Sequence, residues 1–488
     1  MKFRNRCAVL CVGLTTAICG FGQQQQQTDL AQLKAKLQQL EDMMKDLQKQ
    51  IAEAETKPGP PAQPLVPPSP KAVVVQPAAP QLPTDNISEL TRTRVVANND
   101  PAGAARIDNE EIDPTLRGFF RLPGTSTLIK FSGFVKTDVF VDANKAGSYY
   151  GAYVPSSFPS SPQPHTVDST VSMRPSRFSV EFRQPLQDPS DPNDTVKAYL
   201  EYDFLGDYDR NSLRLRQFYA QYKNLLVGQT WSSFGDPDVF PDTLEFEGPP
   251  GIMGLRQPMI RYTQPLGTAN SVGVSVEKSG TDVPFSTQFG TPQASQTRPD
   301  LIAFYRYQNA HGHLYFAGVS RSLGGTIPNT NIPDLRNHVN GYGFSISGLW
   351  GTTKNNIVFQ GIGGKGISNY YNDNFGLGSD VGFDASGHLV ATPTWSTIAG
   401  FQHHWTSILR STVSYGYLRI NNTAMDPGTN YHWSNYATVN LIVQPRVNLL
   451  YGIEYIYGDV VRKDGFKWIA PRFQASVTYY INKYPLEQ

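Results

Sequence analysis

Arg177-Phe178-Ser179-Val180-Glu181-Phe182-Arg183 puts Phe178, Val180 and Phe182 on one side and only polar groups on the other. In a β-strand successive side chains point to opposite faces, so this stretch makes one apolar face and one charged face. The pattern returns between about residues 128 and 481. Val196, Ala198, Leu200, Tyr202 and Phe204 alternate with Lys197, Tyr199, Glu201 and Asp203. Val447, Leu449, Tyr451, Ile453, Tyr455 and Tyr457 alternate with Asn448, Leu450, Gly452, Glu454 and Ile456. One such strand suits a soluble sandwich equally well. Many of them, each about ten residues long with charge on the second face, predict a sheet closed around water with lipid outside.

The expected fold is therefore all-β, a transmembrane antiparallel β-barrel of about sixteen strands. They centre near residues 135, 180, 200, 217, 228, 260, 274, 303, 317, 345, 359, 399, 415, 438, 452 and 476. Alternation is weakest near 217, 228 and 399. Turn-forming clusters separate the strands, as at Gly206-Asp207-Tyr208-Asp209 and Asp426-Pro427-Gly428. Some links are very short, such as Gln444-Pro445-Arg446, while 143–173, 279–298 and 365–392 are long. Short turns at one end and long loops at the other is the outer-membrane arrangement. With 25 tyrosines and 26 phenylalanines, the chain has the rings for aromatic girdles.

The N-terminus supports export. Lys2, Arg4 and Arg6 precede the apolar run Cys7 to Cys19, which is too short to span a bilayer as a helix. Gly20 and Gly22 fit a cleavage site before Gln23, so residues 1–22 read as a signal peptide. Ile18 is bulky where a lipoprotein signal needs a small residue before Cys19. All three cysteines lie in this leader, so the exported chain offers no disulfide framework, zinc cluster or thiol nucleophile. Losing its three positive charges takes the formal charge from +1 to −2, which gives no argument for nucleic-acid binding. No later stretch approaches eighteen consecutive apolar residues.

Leu30, Leu33, Leu37, Leu40, Met44, Leu47 and Ile51 recur at steps of three and four. They form a heptad seam with Leu30, Leu37, Met44 and Ile51 at a and Leu33, Leu40, Leu47 and Ala54 at d. A single amphipathic helix shows the same stripe, but a short isolated helix is marginal in water. Self-association through a periplasmic coiled coil over 23–57 is therefore expected, without fixing the number of strands. Residues 58–115 start proline-rich, from Pro58-Gly59-Pro60-Pro61 to Pro83, and continue polar and unpatterned. They read as a spacer, and 116–488 as the barrel domain.

Three stretches carry a resemblance. Arg117-Gly118-Phe119-Phe120-Arg121-Leu122-Pro123-Gly124-Thr125, leading into Ile129 to Lys136, is similar to the first strand of DcaP-like porins. So are Leu213 to Tyr219 running into Leu225 to Ser232, and Arg256-Gln257-Pro258-Met259-Ile260-Arg261-Tyr262. The likeness covers most of 116–481 and the coiled-coil N-terminus. It implies a homotrimer of sixteen-stranded barrels in the bacterial outer membrane, with a periplasmic coiled coil, taking up small anionic solutes such as dicarboxylates. One departure is that Asn482 to Gln488 follow the last strand, where such barrels usually end on an aromatic residue. A periplasmic overhang is the expected explanation.

A pore selects by charge, width and hydrogen-bonding groups on its wall. The polar faces carry Arg177, Arg183, Lys197, Arg214, Arg216, Arg261 and Arg306. Guanidinium groups stay charged and match carboxylate or phosphate, so the set is a candidate anion path. The alternative is wall charges paired with Glu181, Glu201 and Asp203. Residues 234–254 hold Asp236, Asp238, Asp242, Glu245 and Glu247 among prolines and glycines. They form a candidate constriction loop, or else a solvent-facing one that binds divalent cations. No cofactor, resident metal or enzyme activity is expected: His403 and His404 point to opposite faces, and His311 and His313 lack an obvious third ligand. No hydrolase, Walker or zinc-protease motif is present. The expected function is a porin for small hydrophilic, anionic solutes. A structural envelope-tethering barrel, or a phosphate- or sugar-selective porin, remain the alternatives.

Overall fold

The computed structural model describes Gln38, Lys45 and residues 118–481, except 148–151, 187–193, 207–210, 279, 285–290, 297, 327–336 and 387. The leader, the heptad segment from Leu30 to Ile51 with its two neighbours Gln38 and Lys45 apart, the linker and the tail after Ile481 lie outside these residues. Among the described residues no helix is long and apolar enough to cross a membrane.

Sixteen strands form the wall. They are β1 Leu128–Asp142, β2 Arg177–Pro185, β3 Thr195–Asp203, β4 Arg214–Tyr222, β5 Leu225–Trp231 and β6 Arg256–Leu266. Next come β7 Asn270–Glu277, β8 Asp300–Asn309, β9 Gly312–Thr326, β10 Asn337–Gly351 and β11 Asn355–Lys365. The last are β12 Pro393–His404, β13 Leu409–Ile420, β14 Tyr431–Arg446, β15 Leu449–Arg462 and β16 Arg472–Ile481. Each pairs antiparallel with the next, and β16 pairs back to β1 from Gly133↔Ile481 to Asp142↔Arg472. That last ladder closes the sheet and leaves no edge, which is what a sheet in lipid requires. Every segment expected from alternation falls on one of these strands.

The alternation resolves inside out. On β2, Phe178 is 47% exposed and Arg177 only 6%. Apolar residues face outward and charged ones are buried in the interior, the reverse of a soluble protein. Rings collect near both rims of the belt. Trp395, Tyr417 and Trp433 cluster toward the long-loop end, at centroid separations of 4.8 and 6.2 Å. Trp350 and Trp405 sit exposed beside the short turns. Interfacial rings of this kind anchor a barrel at the headgroup level.

Turns at one end are as short as 223–224 or 310–311, with 186–194 the long exception. At the other end the long loops 232–255 and 366–392, and part of 143–176, fold into the barrel. Tyr153, Phe158, Phe234, Tyr370 and Tyr371 from these loops are all but fully buried and pack with Tyr315 and Tyr436 of the wall. A bridge between Met253 and Tyr371 joins two of the loops.

Candidate functional site

The inner loop, residues 232–255, is built to lie against the wall. Pro237, Pro241, Pro249 and Pro250 keep it from becoming a strand. Asp236 opens the short turn Pro237–Val239 by accepting from the Asp238 amide. Apolar side chains then seat on inward-facing apolar wall residues. Val239 packs on Leu349 and Val358, and Leu244 packs on Ile442 and Leu450. Gly416 on β13 clears the way: a Cβ there would lie 2.5 Å from Cβ of Pro249.

The loop's carboxylates meet partners on the wall. Arg306 on β8 donates to Asp238 at 2.7 Å and reaches Asp236 at 3.5 Å. His313 Nε2 and Ser347 Oγ also reach Asp236, at 2.8 and 3.0 Å. Asp242 accepts from Arg410 Nε on β13 and Gln402 Nε2 on β12, both at 2.6 Å. Glu454 on β15 takes the loop backbone: the amides of Leu244 and Glu245 each donate to it at 2.8 Å. Glu245 turns back on loop amides, accepting from Tyr153 N at 2.8 Å and Gly248 N at 2.7 Å. Burial pushes its carboxyl up to about 7. His313 thus gains from the fold the acidic neighbours that its place in the sequence hid. Asp236, Asp238 and His313 converge closely enough for one cation, but the Arg306 guanidinium already reaches both carboxylates of that cluster.

The fifth carboxylate, Glu247, faces the opposite wall. There Arg177, Arg214, Arg216 and Arg256 line a cavity of about 310 Å³. Register explains the assembly, because Asp203 on β3 sits opposite Arg177 on one side and Arg214 on the other. Arg214 forks onto Asp203 with bonds of 3.0 and 2.6 Å. Arg216 spans Glu201 at 2.6 Å and Asp203 at 2.8 Å. Arg177 lies 3.9 Å from Glu201, too far for a hydrogen bond. Its buried Nε and Nη1 have no hydrogen-bond partner. Arg256, at the mouth of β6, rests its guanidinium 4.4 Å from the Trp231 ring centre. Phe246 of the loop lies under both Arg177 and Arg216, at 5.1 and 5.5 Å. A second cavity of about 100 Å³ also includes Arg177, Phe246 and Glu247, and adds Lys136, Asp242 and Glu245. The two therefore adjoin at Arg177.

The other basic residues are spread along the wall. Arg183 pairs with Glu181 on its own strand. Lys197 lies within 6 Å of the Tyr199 and Tyr219 rings. Arg261 is buried on β6, facing inward. The fold gathers Arg177, Arg214 and Arg216 into one pocket, and places Arg306 with the acidic loop on the far side. Arg256 and Arg410 were not singled out by sequence. Arg410 lies on the inward parity of β13 and was legible there. Arg256 carries the outward parity of Pro258 and Ile260, and only its place at the strand end turns it into the pocket.

A closed antiparallel barrel of sixteen strands, with an apolar belt, a charged interior and a loop folded inside, is an outer-membrane channel of the porin fold. Its sequence says which kind. The family model for the DcaP outer membrane protein matches residues 121–467, and the chain belongs to that family, a family of the bacterial outer membrane. The crystal structure of the outer membrane channel DcaP of Acinetobacter baumannii is similar over 74% of this chain and 99% of that one, at 21% identity and a TM-score of 0.62. Salmonella typhi OmpF in complex with daunomycin aligns over 74% of this chain and 100% of its own, at 11% identity and a TM-score of 0.46. Outer-membrane-expressed OmpT of Vibrio cholerae aligns over 74% and 99%, at 12% identity and a TM-score of 0.45. No curated protein matches the sequence.

Proposed function

We propose that this channel is a homotrimeric porin passing small, hydrophilic, anionic solutes by diffusion. The observation that carries the reading is the arginine pocket beside the inner loop, with buried guanidinium nitrogens of Arg177 that no protein group satisfies. A buried donor without a partner costs free energy that an entering anion recovers. Arg177, Arg214 and Arg216 form the narrow part of the anion path. Arg183, Lys197 and Arg261 line its wall, and Arg306 acts with Asp236 and Asp238 to pin the loop. The inner loop with Asp236, Asp238, Asp242, Glu245 and Glu247 is the constriction. Residues 1–22 are removed on export, 58–115 are a spacer, and 23–57 trimerise in the periplasm through Leu30, Leu33, Leu37, Leu40, Met44, Leu47 and Ile51.

Purified full-length protein in planar bilayers under a potassium chloride gradient tests this. The expected result is stable conductance with a reversal potential favouring chloride. A potential favouring potassium refutes the anion reading. Absence of conductance favours the second reading, a barrel that tethers the envelope, which the extensive filling of the interior by loops supports. Phosphate and maltose added to the chloride current distinguish phosphate- and sugar-selective variants of the channel.

A further inference from the structure

The arginine pocket holds one carboxylate that its arginines do not capture. Arg214 and Arg216 are satisfied by Asp203 and Glu201 at hydrogen-bond distance. Glu247 lines the same cavity, yet among the described residues no ion pair within 4.0 Å is made by its carboxylate. Burial raises its pKa, and Arg214 and Arg256 pull it back down. Four guanidinium groups stand against Glu201, Asp203 and Glu247, which leaves one net positive charge. That charge belongs to Arg177, which has Glu201 at 3.9 Å but no hydrogen bond to it, and to Arg256, and Glu247 sits in the same cavity.

This distribution is poorly matched to a plain dicarboxylate. Two carboxylates would bring the site to a net negative charge, with Glu247 adding like-charge repulsion. An acidic amino acid has the same two carboxylates and an ammonium group besides. Its net charge of one negative complements the pocket, and each of its charges finds an opposite one. We propose that the pocket is a binding station for acidic amino acids, with carboxylates at Arg177 and Arg256 and the ammonium at Glu247. Phe246 and Trp231 flank these groups and narrow the access of water, which strengthens the contacts. A cavity of about 310 Å³ has room for a five-carbon acid and several waters. The proposal deepens the anion-channel reading and rests on it.

Glutamate and glutarate have the same carbon chain and differ by the ammonium, so they isolate this feature. The measurement is their half-blocking concentration on the chloride current of the full-length protein in planar bilayers. Glutamate is expected to block at about tenfold lower concentration than glutarate, the effect of one charge-assisted hydrogen bond. Glu247→Gln is expected to abolish or invert that ratio, and Glu247→Asp, which keeps the charge, to retain the preference. Heat-modifiable mobility on gels verifies that each variant is folded. Equal block by the two acids, no block by either, or an unchanged ratio in Glu247→Gln overturns the amino-acid assignment while a chloride-favouring reversal potential leaves the anion path standing. A potassium-favouring potential in the unmodified protein overturns both.

Discussion

Glu454→Gln probes whether the inner loop is the element that sets the pore. Glu454 Oε2 accepts from Leu244 N at 2.8 Å and Asn440 Nδ2 at 2.9 Å, and its Oε1 accepts from Glu245 N at 2.8 Å. Glutamine keeps the shape but has one acceptor oxygen. Its best placement puts that oxygen at Oε2, saving two bonds and leaving the Glu245 amide facing an NH₂ donor. An unsatisfied buried N–H costs about 1–3 kcal/mol, so detachment of segment 243–248 becomes about 5- to 150-fold more frequent. The loop stays pinned by Asp238 on Arg306 and by Asp242 on Arg410, so it loosens rather than leaves. Single-channel recordings should show larger open-channel noise and a raised mean conductance. Loss of a charge alone changes conductance without noise, and Glu454→Asp separates the two. The aspartate keeps the charge but is one methylene short of the loop amides, so it should be noisy as well. Noise and conductance unchanged in both folded variants would refute the idea that this tether holds the constriction.

Arg177→Ala removes one positive charge from the junction of the two cavities. A unit charge about 4 Å from a passing ion is worth about 1 kcal/mol in water-like surroundings, with opposite sign for the two ions. Chloride therefore loses about fivefold, potassium gains about fivefold, and the chloride-to-potassium permeability ratio should fall about thirtyfold by reversal potential. Glu245, pushed by burial to about 7, is charged above that pH and neutral below it. Acidification from pH 8 to 6 therefore removes a negative charge from the smaller cavity and should raise anion preference, an effect that Glu245→Gln should flatten. Gly416→Val drives a side chain into Pro249 and should cost about 1–3 kcal/mol by overpacking. It should lower the temperature of the heat-modifiable gel shift, while Gly361→Val, at an open position on the wall, should not.

The wall was legible because its code is local. Alternation with a period of two places each side chain on a face without reference to any partner strand, so Phe178 and Arg177 sort themselves wherever β2 pairs. The segment near 217 was obscure for a structural reason. The pairing of β3 with β4 slips between Glu201 and Tyr202, so that Arg216 and Gln217 are both buried. A bulge of this kind adds one residue to one strand and inverts the parity beyond it. What alternation lost there, the site gained, since the bulge is what lets Arg216 reach Glu201 and Asp203 together.

Charge pairing is a matter of register, which alternation does not encode. Arg177, Asp203 and Arg214 are far apart in sequence and neighbours across three strands, so a list of inward arginines cannot say which are already neutralised. Arg214 and Arg216 are; Arg177 retains unsatisfied nitrogens. The inner loop, by contrast, left a readable imprint on the wall. Leu349, Val358, Ile442 and Leu450 are apolar residues on inward positions, and each lies beneath Val239 or Leu244. Glycines at 400, 416 and 452 fall where the loop's Pro241, Pro249 and Leu244 come closest. Against a water-filled pore these are faults in the pattern. Against a loop packed on β10 to β15 they are its complement: apolar and small residues on the polar parity of several neighbouring strands mark the sector of a barrel wall that something covers from inside.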